Sequence, residues 1–221
     1  MCFGGIGMWG VAWRAEEDSV MTIYLMRHGE TEWNRIGRLQ GQSDIPLNES
    51  GIELAEKTAE GLKDVRFDAA FSSPLQRALV TARIVIGERD VAVKTDDRLK
   101  EIHFGAYEGK SFGVGQPDGE HPLARPESYV PEGGGESIGE AKARAKAFLE
   151  DRLLPMEGNA DRILIVAHGA INRCILNMIS GIPDRDFWKI SLPNCAVSVL
   201  SLERGQFKIL EESRVYYDSD I

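Results

Sequence analysis

Apolar residues along the chain keep two periods, and their alternation predicts strands and helices in turn. Ile23-Tyr24-Leu25-Met26 is a short apolar run, read as a buried strand, that stops abruptly at Arg27-His28-Gly29. Leu54, Ala55, Thr58 and Leu62 recur at helical spacing and predict a helix from Glu49 or Ser50 to Leu62, with Gly61 near its end. A short strand over 68–72 leads into Ser73-Pro74, which suits a helix start with Ser as cap and Pro in the first turn. That helix carries Leu75, Ala78, Leu79, Ala82 and Val85 inward and has Arg77 in its first turn. Val91-Ala92-Val93 reads as an edge strand.

Glu136-Ser137 opens the clearest helix. Ile138, Ala141, Ala145, Phe148, Leu149 and Leu153 form one stripe, Lys142, Arg144, Lys146 and Glu150 lie off it, and Pro155 and Gly158 stop it. A second buried strand over 162–167 again runs into His168-Gly169, and a helix from Ala170 to Ser180 ends at Gly181 and Pro183. Residues 197–202 alternate and turn over Arg204-Gly205 into 207–210, a hairpin at the sheet edge. The order predicts a three-layer α/β/α sandwich with a mostly parallel central sheet and a C-terminal edge hairpin.

Three stretches resist both periods. Residues 35–48 are loop-like, and 99–109 read as structured loop aiming a carboxylate and aromatics somewhere definite. Residues 111–135, dominated by Gly, Pro and charges, form a long surface excursion of a length typical of lids or disorder. Residues 1–20 differ in composition from the rest. They lack the basic start and apolar run of a signal peptide, and are too short and glycine-rich to span a bilayer. They are expected to be a dispensable extension ahead of one domain over 21–221.

Charge narrows the function. Lys and Arg number 26 against 35 Asp and Glu, a net charge of −9, which disfavours a protein built to coat nucleic acid or an anionic membrane. Any anion site must be a local cationic pocket in an acidic body. Cys2, Cys174 and Cys195 are odd in number and widely spaced, so they suggest neither a disulfide framework nor a zinc site; a reducing cytoplasm fits them. Nothing in the sequence fixes an oligomeric state.

Ligands of open α/β sheets bind beyond the carboxyl ends of strands. That is where Arg27, His28 and His168 fall, with Arg77 at a helix start nearby. Two guanidiniums and two imidazoles suit a phosphoryl group: Arg forks match its oxygens, one imidazole can attack phosphorus, and the other can stabilise the charge that develops. A leaving alkoxide needs a proton from a carboxylic acid, for which Glu101, Glu108, Asp97 and Glu30 compete. Asn34 equally suits a helix cap.

These blocks resemble a family. Arg27 through Asn34 is similar to the Arg-His-Gly signature of the histidine phosphatase superfamily, with its phosphoglycerate mutase-like fold. The resemblance continues through Leu39-Gln40-Gly41 with Asp44 and Leu47, through 72–78, 101–109, Gly135-Glu136-Ser137 and Ala167-His168-Gly169. It implies that His28 is the nucleophile that becomes phosphohistidine. Arg27, Arg77 and His168 would complete the phosphate pocket, with Asn34, Gln40 and Gly41 beside it, and Glu101 would be the general acid. It implies no metal and no cofactor, and a small phosphorylated metabolite as partner rather than nucleic acid or a membrane. His103 and His121 fall outside the catalytic set.

The leading expectation is a phosphomonoesterase. The runner-up is a phosphoglycerate mutase using the same phosphohistidine chemistry. The mutases carry a longer excursion with added cations to hold the substrate carboxylate, whereas residues 110–135 offer only Lys110 and Arg125. A non-catalytic phospho-ligand binder would be expected to lose His28 or Glu101, and a metal role for the histidines ranks lower still.

Overall fold

The computed structural model describes residues 20–111 and 125–218. The 1–20 extension falls outside them except for its last residue, as does most of the excursion with His121. Six strands form one sheet, β1 (Met21–Arg27), β2 (Ala69–Ser72), β3 (Val93–Thr95), β4 (Arg162–Ala167), β5 (Val197–Glu203) and β6 (Gln206–Arg214). Their order is β3-β2-β4-β1-β5-β6. β3, β2, β4 and β1 pair in parallel; β5 and β6 add the antiparallel edge hairpin.

Alternation along the central strands sends side chains to two separate cores. Met21, Ile23, Leu25, Ile163 and Ile165 pack with α4 (Ile138–Phe148) and α5 (Gly169–Ser180). Met26, Leu164 and Val166 pack with α2 (Glu49–Gly61) and α3 (Gln76–Ile86). The three-layer arrangement follows because strands buried on both faces need a helical cover on each.

The α4 stripe is buried at every expected position. Phe148 and Leu149, adjacent in sequence, both face inward because the helix widens into a π turn over Leu149–Leu153 before the 3-10 turn at Leu154–Met156. Phe148 meets Phe71 edge-on with ring centroids 5.5 Å apart, and truncating such a ring costs about 3–5 kcal/mol. Ser137 and Glu140 cap the start reciprocally. Cys174 and Cys195 are buried, and burial pushes the Cys195 thiol up to about 12.

Two expectations shift. β3 begins two residues later than the Val91–Val93 edge strand. α3 begins at Gln76 rather than at Ser73-Pro74, and Ser73 instead accepts a 3.3 Å bond from the Leu75 N–H. The orphan N–H of Gln76 goes to Asp44 Oδ1 at 2.7 Å, a cap from a distant loop that local sequence cannot reveal.

Candidate active site

β1 and β4 run in register, Arg27 opposite Ala167, so residues 28 and 168 leave the sheet side by side. The His28 N–H bonds the Ala167 carbonyl at 3.0 Å, and the imidazole centroids lie 5.0 Å apart at 60°. Both rings are almost wholly buried. Burial, reinforced by Arg77, holds both well below the ordinary imidazole value, so both are neutral.

Their hydrogen bonds then assign opposite tautomers. His28 Nδ1 lies 2.6 Å from the Gly29 carbonyl, which can only accept, so Nδ1 carries the proton and Nε2 keeps its lone pair. His168 Nδ1 lies 3.2 Å from Arg77 Nε, which can only donate, so its proton sits on Nε2. That Nε2–H has no partner among the described residues, and neither does Arg27 Nε. Buried donors left unmet cost about 1–3 kcal/mol each.

Arg77 is wholly buried. Its remaining nitrogens donate to Ser43 O at 2.8 Å and Gly41 O at 2.7 Å, so the 40–43 loop holds the guanidinium in place. Burial draws its pKa down to about 10, with Glu101 opposing. Arg27 donates to Leu192 O at 2.6 Å and is lowered by burial. Asn34 takes part in capping a short helix. Thr31 is the N-cap of that helix, α1 (Glu32–Arg35), Asn34 Oδ1 accepts from the Thr31 N–H at 3.1 Å, and Asn34 also lines the cavity.

Glu101 sits against the start of α5. Its Oε1 accepts from the N–H groups of Ile102 and Ile171 at 2.9 and 3.0 Å, and Oε2 from that of Ala170 at 3.0 Å. Helix N-termini attract carboxylates in this way. The competing acids fall elsewhere. Glu108 accepts from Gln42, Ser43 and Phe104 and clips the 40–43 loop to the Glu101 loop. Glu30 bonds Asn48, and Asp97 pairs with Lys100.

Arg27, His28, Asn34, Gln40, Gly41, Arg77 and Glu101 converge on one cavity of about 250 Å³, with His168 immediately behind His28 and Arg77. Gln40 is buried and its Oε1 has no partner among the described residues. Sequence reasoning missed Arg38, Arg173 and Trp188, which also line this cavity. Arg173 lies one turn along α5 from Gly169, so its proximity was readable only once the helix start was known. It also missed Arg144, assigned to the polar side of α4. Its guanidinium bonds the carbonyls of Arg98, Lys100 and Glu101 at 2.6–3.1 Å and pairs with Glu136 at 2.6 Å, bracing the Glu101 loop. Among the described residues, no cluster of three or more His, Cys, Asp or Glu is spaced to hold a metal ion, and no helix is long and apolar enough to cross a membrane.

Paired neutral imidazoles and several guanidiniums thus gather at the carboxyl ends of the parallel strands of an α/β fold. The chain belongs to the histidine phosphatase superfamily (branch 1), whose family model matches residues 23–213. It is 34% identical over 193 residues to the probable phosphoglycerate mutase GpmB of Proteus mirabilis, covering 81% of this chain and 84% of that one. Among solved structures it resembles Bacillus stearothermophilus YhfR with a TM-score of 0.80 and 33% identity, covering 88% of this chain and 98% of the other. A phosphoserine phosphatase from Entamoeba histolytica, in complex with 3-phosphoglyceric acid, gives a TM-score of 0.77 and 30% identity, over 88% and 98% of the two chains.

Proposed function

We propose that the protein is a cytoplasmic, metal-independent phosphomonoesterase that hydrolyses a small soluble phosphate ester through a phosphohistidine on His28. The opposite tautomers of the two imidazoles carry this assignment. His28 Nε2 holds a lone pair for in-line attack on phosphorus, while His168 Nε2–H is a donor for an equatorial oxygen. Arg27, Arg77 and the Asn34 amide supply further donors, so the charge of the transition state meets groups already in place. Gln40 and Gly41 border the ester beside them.

Glu101 acts as the general acid. Oε1 is occupied by two N–H groups, whereas Oε2 has one and keeps a position for the proton that goes to the leaving oxygen. The deprotonated carboxylate then takes a proton from the water that attacks phosphohistidine, which restores the starting state.

The test is phosphate release from an aryl phosphate in excess chelator, with inhibition by vanadate. Activity that chelator abolishes, or that persists in His28→Ala, refutes the proposal. Glu101→Gln should slow alkyl phosphates at least tenfold more than aryl phosphates, because only the poorer leaving group needs the proton; equal losses would remove Glu101 from the acid role. The likeness to the curated relative named a probable phosphoglycerate mutase favours a second reading, return of the phosphoryl group to product. Interconversion of 3- and 2-phosphoglycerate faster than phosphate release would establish it.

A further inference from the structure

We infer that Asn194 is a positioning residue for the nucleophile, its amide pinning the Gly29 carbonyl that keeps the proton of His28 on Nδ1. The inference rests on the phosphomonoesterase proposal, in which His28 attacks through Nε2. It adds a residue that stands outside the cavity lining, on the turn ahead of β5. A phosphate oxygen beside Nε2 accepts a proton there, so a bound ester favours the tautomer that cannot attack. The Gly29 carbonyl, 2.6 Å from Nδ1, opposes that pull. As the N–P bond forms and the ester P–O bond breaks, the leaving oxygen takes its proton from Glu101. Nδ1 keeps its own, and the cationic ring that results is stabilised by the same carbonyl.

Residue 29 must be glycine because α2 passes too close for a side chain. A Cβ there would stand 2.4 Å from the Gly51 carbonyl oxygen. A glycine restricts the backbone least, so by itself it would let its carbonyl swing away from the imidazole. Asn194 supplies the missing restraint. Its Nδ2 donates to the His28 and Gly29 carbonyls at 3.1 Å each, so one amide bridges two successive peptide units across the glycine. A carbonyl oxygen has two lone pairs, and with Asn194 on one the other is left for Nδ1–H. The third neighbour of Nδ2 is Asn34 Oδ1 at 3.4 Å. Three oxygens around one end of the amide identify that end as nitrogen.

The turn that presents Asn194 is itself held in an unfavourable shape. Cys195 adopts φ 57°, the left-handed region that a residue with a Cβ enters only under strain. That geometry brings the Cys195 N–H onto the His28 carbonyl at 3.2 Å, beside the Asn194 amide. The Tyr217 hydroxyl donates to the Asn194 carbonyl at 2.6 Å and closes the turn from the C-terminal segment. From α3, Thr81 Oγ1 accepts from the Gly29 N–H at 3.0 Å and donates to the Arg77 carbonyl at 2.7 Å. Both peptide units around Gly29 are therefore tied to other elements, and Asn194 is the group that ties them to each other.

The experiment is nitrogen NMR of protein carrying isotope-labelled histidine, free and with inorganic phosphate, at about pH 8, where both rings are neutral. Protonated and lone-pair ring nitrogens resonate far apart, and His28→Ala assigns the His28 signals. Wild type is expected to carry the proton on Nδ1 of His28 and on Nε2 of His168 in both conditions. Asn194→Ala, and Asn194→Asp, which keeps the shape but cannot donate when ionised, should each populate the Nε2–H form of His28. The change should be largest with phosphate present and should leave His168 unmoved. In steady state kcat should fall at least tenfold for aryl and alkyl phosphates alike, with KM within threefold. A merely structural role disturbs both rings or neither. A wild-type proton on His28 Nε2, one that stays on Nδ1 in both variants, or two rings disturbed together in both variants overturns the inference, whatever the rate does. A shift of His28 alone, with no phosphate release by wild type, removes the phosphomonoesterase proposal and keeps the positioning role. An unmoved His28 alongside ordinary turnover does the reverse.

Discussion

Glu108→Gln isolates the scaffold from the chemistry. Glu108 Oε1 accepts from the N–H groups of Gln42 and Phe104 at 2.9 and 3.2 Å, and Oε2 from the Ser43 N–H and Oγ at 2.9 and 2.6 Å. A glutamine can keep its oxygen on one pair only, and its NH₂ then faces the other. If the oxygen stays with Gln42 and Phe104, Ser43 Oγ can turn to accept, but the Ser43 N–H meets a donor. That orphan costs about 1–3 kcal/mol, and the two retained bonds each lose about 1 kcal/mol of charge assistance. The side chain is 14% exposed, so water recovers part of this, and the expected loss of stability is about 2–4 kcal/mol. The loop released is the one whose Gly41 and Ser43 carbonyls hold Arg77, so KM for any phosphate ester should rise about tenfold. Urea unfolding at constant m-value and steady-state kinetics read the two effects. Stability within about 0.5 kcal/mol of wild type together with an unchanged KM would refute the coupling of Glu108 to Arg77. Selective loss on alkyl phosphates would instead make Glu108 the acid.

Two further predictions concern pH and close packing. His28 and His168 are held neutral in the folded state, well below the unfolded value of 6.5. The unfolded state therefore binds more protons as pH falls, and the stability present above about 6.5 is lost progressively below it. Urea midpoints measured downward from about pH 8 should fall more steeply for wild type than for His28→Ala, and parallel curves would show that the buried imidazole is not the cause. Gly51→Ala places a Cβ 2.0 Å from the Glu30 carbonyl oxygen, a backbone atom with little room to yield. The expected cost is about 1–3 kcal/mol, read as a lower thermal midpoint, and an unchanged midpoint would mean that α2 can move away from the β1 loop at no cost.

The sequence by itself determined the elements and the identity of most groups in the cavity. β1, β4 and the α4 stripe are legible because burial repeats with the local period of the backbone, two or 3.6 residues. Arg27, His28, Arg77 and His168 stand at strand ends and helix starts, where punctuation by Gly and Pro marks them. The division of roles among them came from the family resemblance, and only tertiary structure shows a physical basis for it. The two histidines look alike in sequence, and what separates them is the Gly29 carbonyl beside one and Arg77, 91 residues away, beside the other. Residue chemistry left Glu101 level with Glu108 and only the matched family block singled it out; the physical difference is that its oxygens meet N–H groups 69 and 70 residues along the chain, at the start of α5. Arg173 carries no signal of its site at all. It reaches the cavity because α5 begins at Gly169, where the missing side chain lets two guanidiniums converge. Local periodicity encodes which backbone forms; protonation state, charge balance and reach depend on partners that only folding brings within a few ångströms.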